Sequence, residues 1–180
     1  MDFHELAARR RSVRRYQGRE VEQDKLDLIL RTALLAPSAG NLQPYEIIVV
    51  THHTSRMALA RAALDLAFLA QAPAVLVFLQ DPGRSTAHYG ARGNELYATQ
   101  DTAIACTHAQ LAAASLDLGS CWVGAFHPDR VARLLGVPPH LLPVALLAVG
   151  YPNEQPAASP RRPVEEMIHR ESYGRPKEID

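Results

Sequence analysis

Apolar positions along this chain follow two rhythms. Leu26, Ile29, Leu30, Ala33 and Leu34 recur three and four residues apart, the spacing of one helix face, and predict a helix over about residues 22–36. Pro37 stops it, because proline lacks a donor and restricts the residue before it. Tyr45–Val50 and residues 74–79 are instead unbroken runs rich in β-branched and aromatic side chains, the pattern of buried strands. Residues 144–149, running into Gly150, predict another strand, and 120–124 a shorter one. Between them, Thr54 is placed to cap a helix through Leu64, with a second helical piece to about Gln71. Asp2 and Glu5 form a capping-box signal for a short helix ending near Arg10. Residues 129–135 predict a helix closed by Gly136.

The second half holds a longer helical pattern, about residues 94–118. Its middle, Thr102 to Ser115, is apolar or small on nearly every side. A helix of that kind is buried on several sides, as a central core or dimer-interface element. Gly119 reads as its left-handed cap. Asp81, Pro82 and Gly83 read as a turn after the second strand, and residues 82–93, polar and aperiodic, as a loop. After Asn153 only Val164, Met167 and Ile168 are apolar anchors amid prolines and charges. That tail cannot build a core of its own and must either stay loose or dock on another surface.

Length and charge narrow the function classes. A chain of 180 residues, 47% hydrophobic, supports one core. Nineteen Lys+Arg balance nineteen Asp+Glu, which argues against a general nucleic-acid or membrane-surface binder. The basic residues are nevertheless crowded: Arg9, Arg10, Arg11, Arg14, Arg15 and Arg19 share one short segment. Such local excess in a neutral chain fits a small anion better than a polyanion. No apolar run reaches membrane-spanning length, and the first residues carry no basic-then-apolar leader, so a cytoplasmic protein is the expectation. Cys106 and Cys121 are too few for a disulfide framework and read as buried thiols.

Two segments carry candidate chemistry. Arg10, Arg11, Ser12 and Arg14 offer planar donor forks and a hydroxyl within one turn's length, which suits phosphate oxygens. A solvated basic helix end, favoured by the dipole, accounts for the same residues. Pro37, Ser38, Gly40 and Asn41 lie where helix passes to strand; Gly40 admits close backbone approach and Ser38 and Asn41 supply polar groups. An ordinary loop satisfying its own backbone explains them equally. His52 and His53 lack further metal ligands at suitable spacing, so no metal is expected. Cys121, beside Trp122, has no adjacent base and reads as packing. Tyr89, Arg92 and Tyr97 flank the presumed loop before the long helix and are candidates for a substrate-facing side.

In sequence order, these segments resemble the nitroreductase family, FMN-dependent NAD(P)H oxidoreductases. The early family pattern Arg-Arg/His-Ser-x-Arg/Lys-x-Tyr/Phe is matched from Arg10 to Tyr16, and Ala-Pro-Ser-x-x-Asn-x-Gln-Pro-Trp/Tyr from Ala36 to Tyr45. Matches continue at Gln100–Ala103, Leu118–Phe126, Leu134–Gly136, Pro143–Pro152 and Arg161–Glu166, covering nearly the whole chain. The resemblance implies an α+β, three-layer fold, a mostly antiparallel sheet flanked by helices, in an intertwined homodimer. One domain would span residues 1–180, with 153–180 an arm wrapping the partner subunit. It implies FMN held at the phosphate by Arg10, Ser12 and Arg161, with Arg11 and Arg14 along the ribityl chain and pyrimidine edge. Pro37, Ser38 and Asn41 would approach the flavin from the partner, while Val123 and Gly124 would line the ring near N5. No side-chain acid or base is then required: NAD(P)H reduces the flavin, and a nitroaromatic, quinone or similar acceptor reoxidises it in ping-pong fashion, with Arg14 and Gly124 tuning the flavin.

The chain departs from larger relatives between Thr51 and Pro73 and again before the long helix, where it is shorter. It also lacks a clear equivalent of the Asn and Lys that some relatives place on the flavin edge, for which Gln71 is a poor substitute. Two other classes fit the same residues: an FMN-binding or sensory module without turnover, and a nucleic-acid-binding protein using the arginine cluster.

Overall fold

Four strands form one sheet in the order β1-β2-β4-β3: β1 (Tyr45–Val50), β2 (Ala74–Gln80), β3 (Gly119–Val123) and β4 (Leu142–Gly150). Every neighbouring pair is antiparallel, and β2 and β4 lie at the centre. The structure, a computed structural model, describes residues 2–174. Both central strands are covered on both faces, which is why they read as continuous apolar runs rather than alternating ones. The alternation is still present in what they touch. Val75, Val77 and Leu79 of β2 join Leu146 and Ala148 of β4 in one core layer; Ala74, Leu76 and Phe78 join Ala145, Leu147 and Val149 in the other.

Helices cover each face. The first layer is closed by α3 (His53–Ala62), α4 (Phe68–Gln71) and α7 (Pro128–Leu135). The second is closed by α2 (Gln23–Leu34) and α6 (Ala98–Ser115). Leu26, Ile29 and Ala33 are the buried positions of α2, matching the predicted stripe. On α6 the small residues Ala105, Ala109, Ala112 and Ala113 are buried together, so this helix lies close against both α2 and the sheet. The three-layer α+β arrangement expected from sequence is therefore present. No helix among the described residues is long and apolar enough to cross a membrane.

Several local expectations are corrected. Residues 82–93 are not a loop: α5 (Pro82–Arg92) forms there, broken at Gly90, and a π-helical turn (Gly93–Tyr97) joins it to α6. Only Ser85 of α5 is buried, so no apolar period announced the helix. The Asp81-Pro82-Gly83 turn is the start of α5, with the Arg84 N–H donating to Asp81 Oδ1 at 3.3 Å and Pro82 in the first turn. Thr54 lies inside α3 rather than capping it; His52 holds the cap position without a side-chain bond. Gly119 does not cap α6. Asp117 takes the left-handed conformation (φ 60°), and Gly119 opens β3 where a Cβ would come within 2.9 Å of the Val13 side chain. Asp2 and Glu5 do form the expected capping box on α1 (Phe3–Arg9), and Gly136 is the left-handed cap of α7.

The tail after β4 has no regular secondary structure from Asn153 to Pro163, then makes one turn of helix, α8 (Val164–Met167). Neither core layer includes a residue beyond Tyr151. Part of the predicted arm, residues 175–180, lies outside the described residues.

Candidate anion and cofactor site

The arginine segment is laid along the exposed edge of the sheet. Ser12 forms a parallel bridge with Ser120 on the edge strand β3, and Tyr16 an antiparallel bridge with Pro152 just past β4. The Val13 N–H donates to the Ser120 carbonyl at 3.0 Å, and the Gln17 N–H to the Tyr151 carbonyl at 2.9 Å. Tyr16, 7% exposed, turns back so that its hydroxyl donates to the Val13 carbonyl at 2.7 Å. Burial raises its pKa well above the ordinary phenol value, so it stays a neutral donor. The Tyr closing the family motif thus fixes the turn that carries Ser12 and Arg14.

Glu154 completes the clasp, and nothing local in the sequence marked it. Its Oε1 accepts the Arg14 N–H at 2.5 Å and the Arg15 N–H at 3.1 Å. The Asn153 N–H donates to the Arg15 carbonyl at 2.9 Å. The first residues of the tail therefore determine the backbone of the arginine segment.

Four residues singled out from the sequence meet at one cavity. Arg10, Arg11, Ser12 and Arg161 line a space of about 390 Å³ between the end of α1 and the tail. Arg11 donates through Nη1 to the carbonyls of Ala8 and Arg10, the latter at 2.9 Å, so part of its fork closes the C-terminus of α1. Among the described residues no carboxylate pairs with Arg10, Arg11 or Arg161. Arg9, by contrast, is paired with Asp117 at 2.5 Å. Like charges around one opening repel unless an anion enters, and guanidinium forks suit phosphate oxygens best. A second cavity of about 360 Å³ continues from Arg10 and Arg11 toward Ser120, Glu154 and Gln155.

The other expected residues stand apart from these cavities. Arg14 is exposed beside them. Val123 ends β3, buried, and Gly124 follows it in the open, where an added Cβ would meet only the Trp122 indole nitrogen at 3.8 Å. Pro37, Ser38 and Asn41 belong to the turn between α2 and β1, and none lines either cavity. Ser38 Oγ accepts the Gln43 N–H at 3.0 Å, and the Ala39 N–H donates to both carboxylate oxygens of Asp101 at 3.2 Å. Tyr89 and Tyr97 sit edge to face, ring centres 5.2 Å apart, and Arg92 Nε donates to the Tyr97 hydroxyl at 3.0 Å.

Two further residues keep their packing roles. Cys121 is 2% exposed, and burial raises its thiol pKa despite the pull of Arg14 and Arg10. Cys106 is likewise pushed up by burial. No cluster of three or more His, Cys, Asp or Glu able to hold a metal occurs among the described residues.

Known proteins resemble this chain in sequence and in fold. The nitroreductase family model matches residues 7–67 and 53–151. A Thermus thermophilus protein named NADH dehydrogenase is 34% identical over 195 residues, covering 93% of this chain and 95% of that protein. A Bacillus subtilis protein named FMN reductase [NAD(P)H] is 31% identical over 176 residues, covering 91% and 71%. Among solved structures, B. megaterium NfrA2 superposes with a TM-score of 0.88 at 32% identity, covering 94% of this chain and 74% of its own. With the fold and these likenesses in agreement, the chain belongs to the nitroreductase family.

Proposed function

We propose that this protein is an FMN-dependent oxidoreductase that takes electrons from NAD(P)H and delivers them to a small oxidised acceptor such as a nitroaromatic or a quinone. The observation that carries the reading is the cavity lined by Arg10, Arg11, Ser12 and Arg161, three guanidinium groups without a carboxylate partner among the described residues. That donor set fits a phosphate monoester. Bound FMN would supply the two-electron relay between the two substrates, each reacting in turn at one face.

The chain's own residues would hold and tune that group. Arg10 and Arg161 would grip the phosphate from opposite walls, with the Ser12 hydroxyl as a third donor. Arg14, its backbone fixed by Glu154, would place positive charge along the pyrimidine edge, where negative charge collects on reduction. Gly124, exposed and without a side chain, would offer a backbone N–H near N5. Pro37, Ser38 and Asn41 would be contributed by a second copy of the chain, since none reaches the arginine cavities of its own. The tail beyond Arg161 would wrap that copy.

The test is direct. Purified protein should be yellow, with flavin absorbance between roughly 350 and 500 nm that bleaches on mixing with NADH or NADPH. Arg10→Ala should lose most of its FMN on dilution. A colourless parent, or full FMN retention by Arg10→Ala, would refute the phosphate assignment.

A further inference from the structure

The turn between α2 and β1 is held in an improbable conformation. Gly40, Asn41 and Gln43 all have positive φ, at 56°, 56° and 48°. Only glycine adopts that region freely; for Gln43 in particular it is disfavoured by contact between Cβ and backbone. Bonds within the turn help, from Gln43 N–H to Ser38 Oγ and from Gln43 Nε2 to Asn41 Oδ1 at 3.1 Å. They do not fix where the turn sits on the molecule.

Two residues from distant parts of the chain do. Asp101, 4% exposed in the first turn of α6, accepts the Ala39 N–H on both oxygens. This carboxylate is not serving as a helix cap. Tyr97, ahead of α6, is itself helical, and the Ala98 N–H donates to the Gly93 carbonyl, so α6 continues from the turn before it. On the other side Tyr89 lies against Gly40, whose absent Cβ would fall 2.7 Å from the Tyr89 hydroxyl. Tyr89 is braced edge-on by Tyr97, which Arg92 holds in turn. Neither Asp101 nor Tyr89 lines the arginine cavities.

We infer that Asp101 and Tyr89 are positioning residues, clamping the turn over residues 37–43 so that Pro37, Ser38 and Asn41 are presented in one fixed geometry to a flavin bound by a second copy of the chain. The inference rests on the flavin reading above and goes beyond it in naming what aligns the partner-facing wall. Asp101 is buried and occupied by Ala39, so it acts through the turn and not on the ligand. Strain of this kind persists only where the surroundings over-determine it, and it gathers where geometry matters to function.

The experiment compares the parent with Asp101→Ala, Asp101→Asn and Tyr89→Phe in the full chain. Amide exchange of Ala39 and Gln43, measured on flavin-free protein, should quicken about tenfold or more in Asp101→Ala. The same variant should bind FMN about tenfold more weakly. When saturated with FMN, its flavin should still be bleached by NADH within about twofold of the parent rate, because the groups expected near N5 are untouched. Asp101→Asn keeps an acceptor oxygen for Ala39 and should recover most of both losses; Tyr89→Phe should fall between. A merely structural role would lower the melting temperature without separating affinity from bleaching rate. Unchanged exchange at residues 39–43 in Asp101→Ala would overturn the clamp. Faster exchange with FMN affinity within twofold of the parent would overturn the positioning role. A parent that takes up no FMN would instead refute the flavin reading and the positioning role built on it, while exchange on the flavin-free chain would still decide whether Asp101 anchors the turn.

Discussion

Glu154 holds two successive N–H groups of the arginine segment from 140 residues away. A carboxylate receiving two backbone donors is worth more than a neutral acceptor, and its side chain is only 27% exposed. Glu154→Ala should therefore cost about 1–2 kcal/mol. In a domain of this size that lowers the melting midpoint by roughly 2–8 °C. FMN affinity should fall as well, since Arg14 loses its fixed backbone; Glu154→Gln should lose less. A midpoint and a flavin affinity both equal to the parent's would show that the clasp is incidental. Arg10, Arg11 and Ser12 were legible in the sequence because they are neighbours in a recognisable motif. Glu154 was not, because its partners lie at the other end of the chain. Gly119 was legible as special but for the wrong reason: the helix turns at Asp117, and Gly119 is needed by the packing of Val13. Left-handed caps and close approaches both call for glycine, and sequence does not separate them.

Elements were readable where burial imposed a period and obscure where it did not. α2 buries a regular face and the two central strands are buried on both sides, and all three were found within a few residues. α5 buries only Ser85, and its evidence reduced to a cap. Asp81→Ala should cost about 1 kcal/mol, as removal of a helix N-cap does, visible as a lowered urea midpoint with unchanged slope. Contact between elements adds a pH dependence. The Tyr151 hydroxyl, past the end of β4, donates to Glu22 at the start of α2 at 2.6 Å and accepts from Lys25 Nζ at 2.7 Å. The Arg19 guanidinium lies over the Tyr151 ring, 4.0 Å from its centre. The Tyr151 hydrogen bond, with smaller help from a backbone N–H and from Arg19, lowers the Glu22 pKa from 4.5 to about 2. A carboxyl whose pKa is depressed by folding stabilises the fold fully above its unfolded value and loses that contribution as pH falls through the folded one. Stability should thus decline between about pH 4.5 and 2, and Glu22→Gln or Tyr151→Phe should flatten that limb of the acid titration. Parallel acid limbs in parent and both variants would contradict the link.

At the scale of the molecule, the described chain leaves an unusual remainder. Val164, Met167 and Ile168 on the tail are 46%, 49% and 49% exposed, and Leu34 and Leu35 at the end of α2 are 56% and 78% exposed. Burying each such side chain would contribute about 1.5–3 kcal/mol. The described part of the tail adds nothing to the chain's own core, and the second copy proposed above would give these side chains cover. Two variants separate the arm's roles. A chain ending at Pro160 lacks Arg161 and the apolar anchors alike; it should keep its helical content, elute near monomer size and fail to retain FMN. Arg161→Ala keeps the anchors and removes one wall of the phosphate cavity, so it should elute as the parent does yet lose FMN. If both variants eluted as the parent and held flavin equally well, neither the arm nor the cavity would have the role assigned to it. If the truncated chain alone changed size while Arg161→Ala kept its flavin, the tail would join the subunits without touching the cofactor, and the phosphate would rest on Arg10 and Ser12.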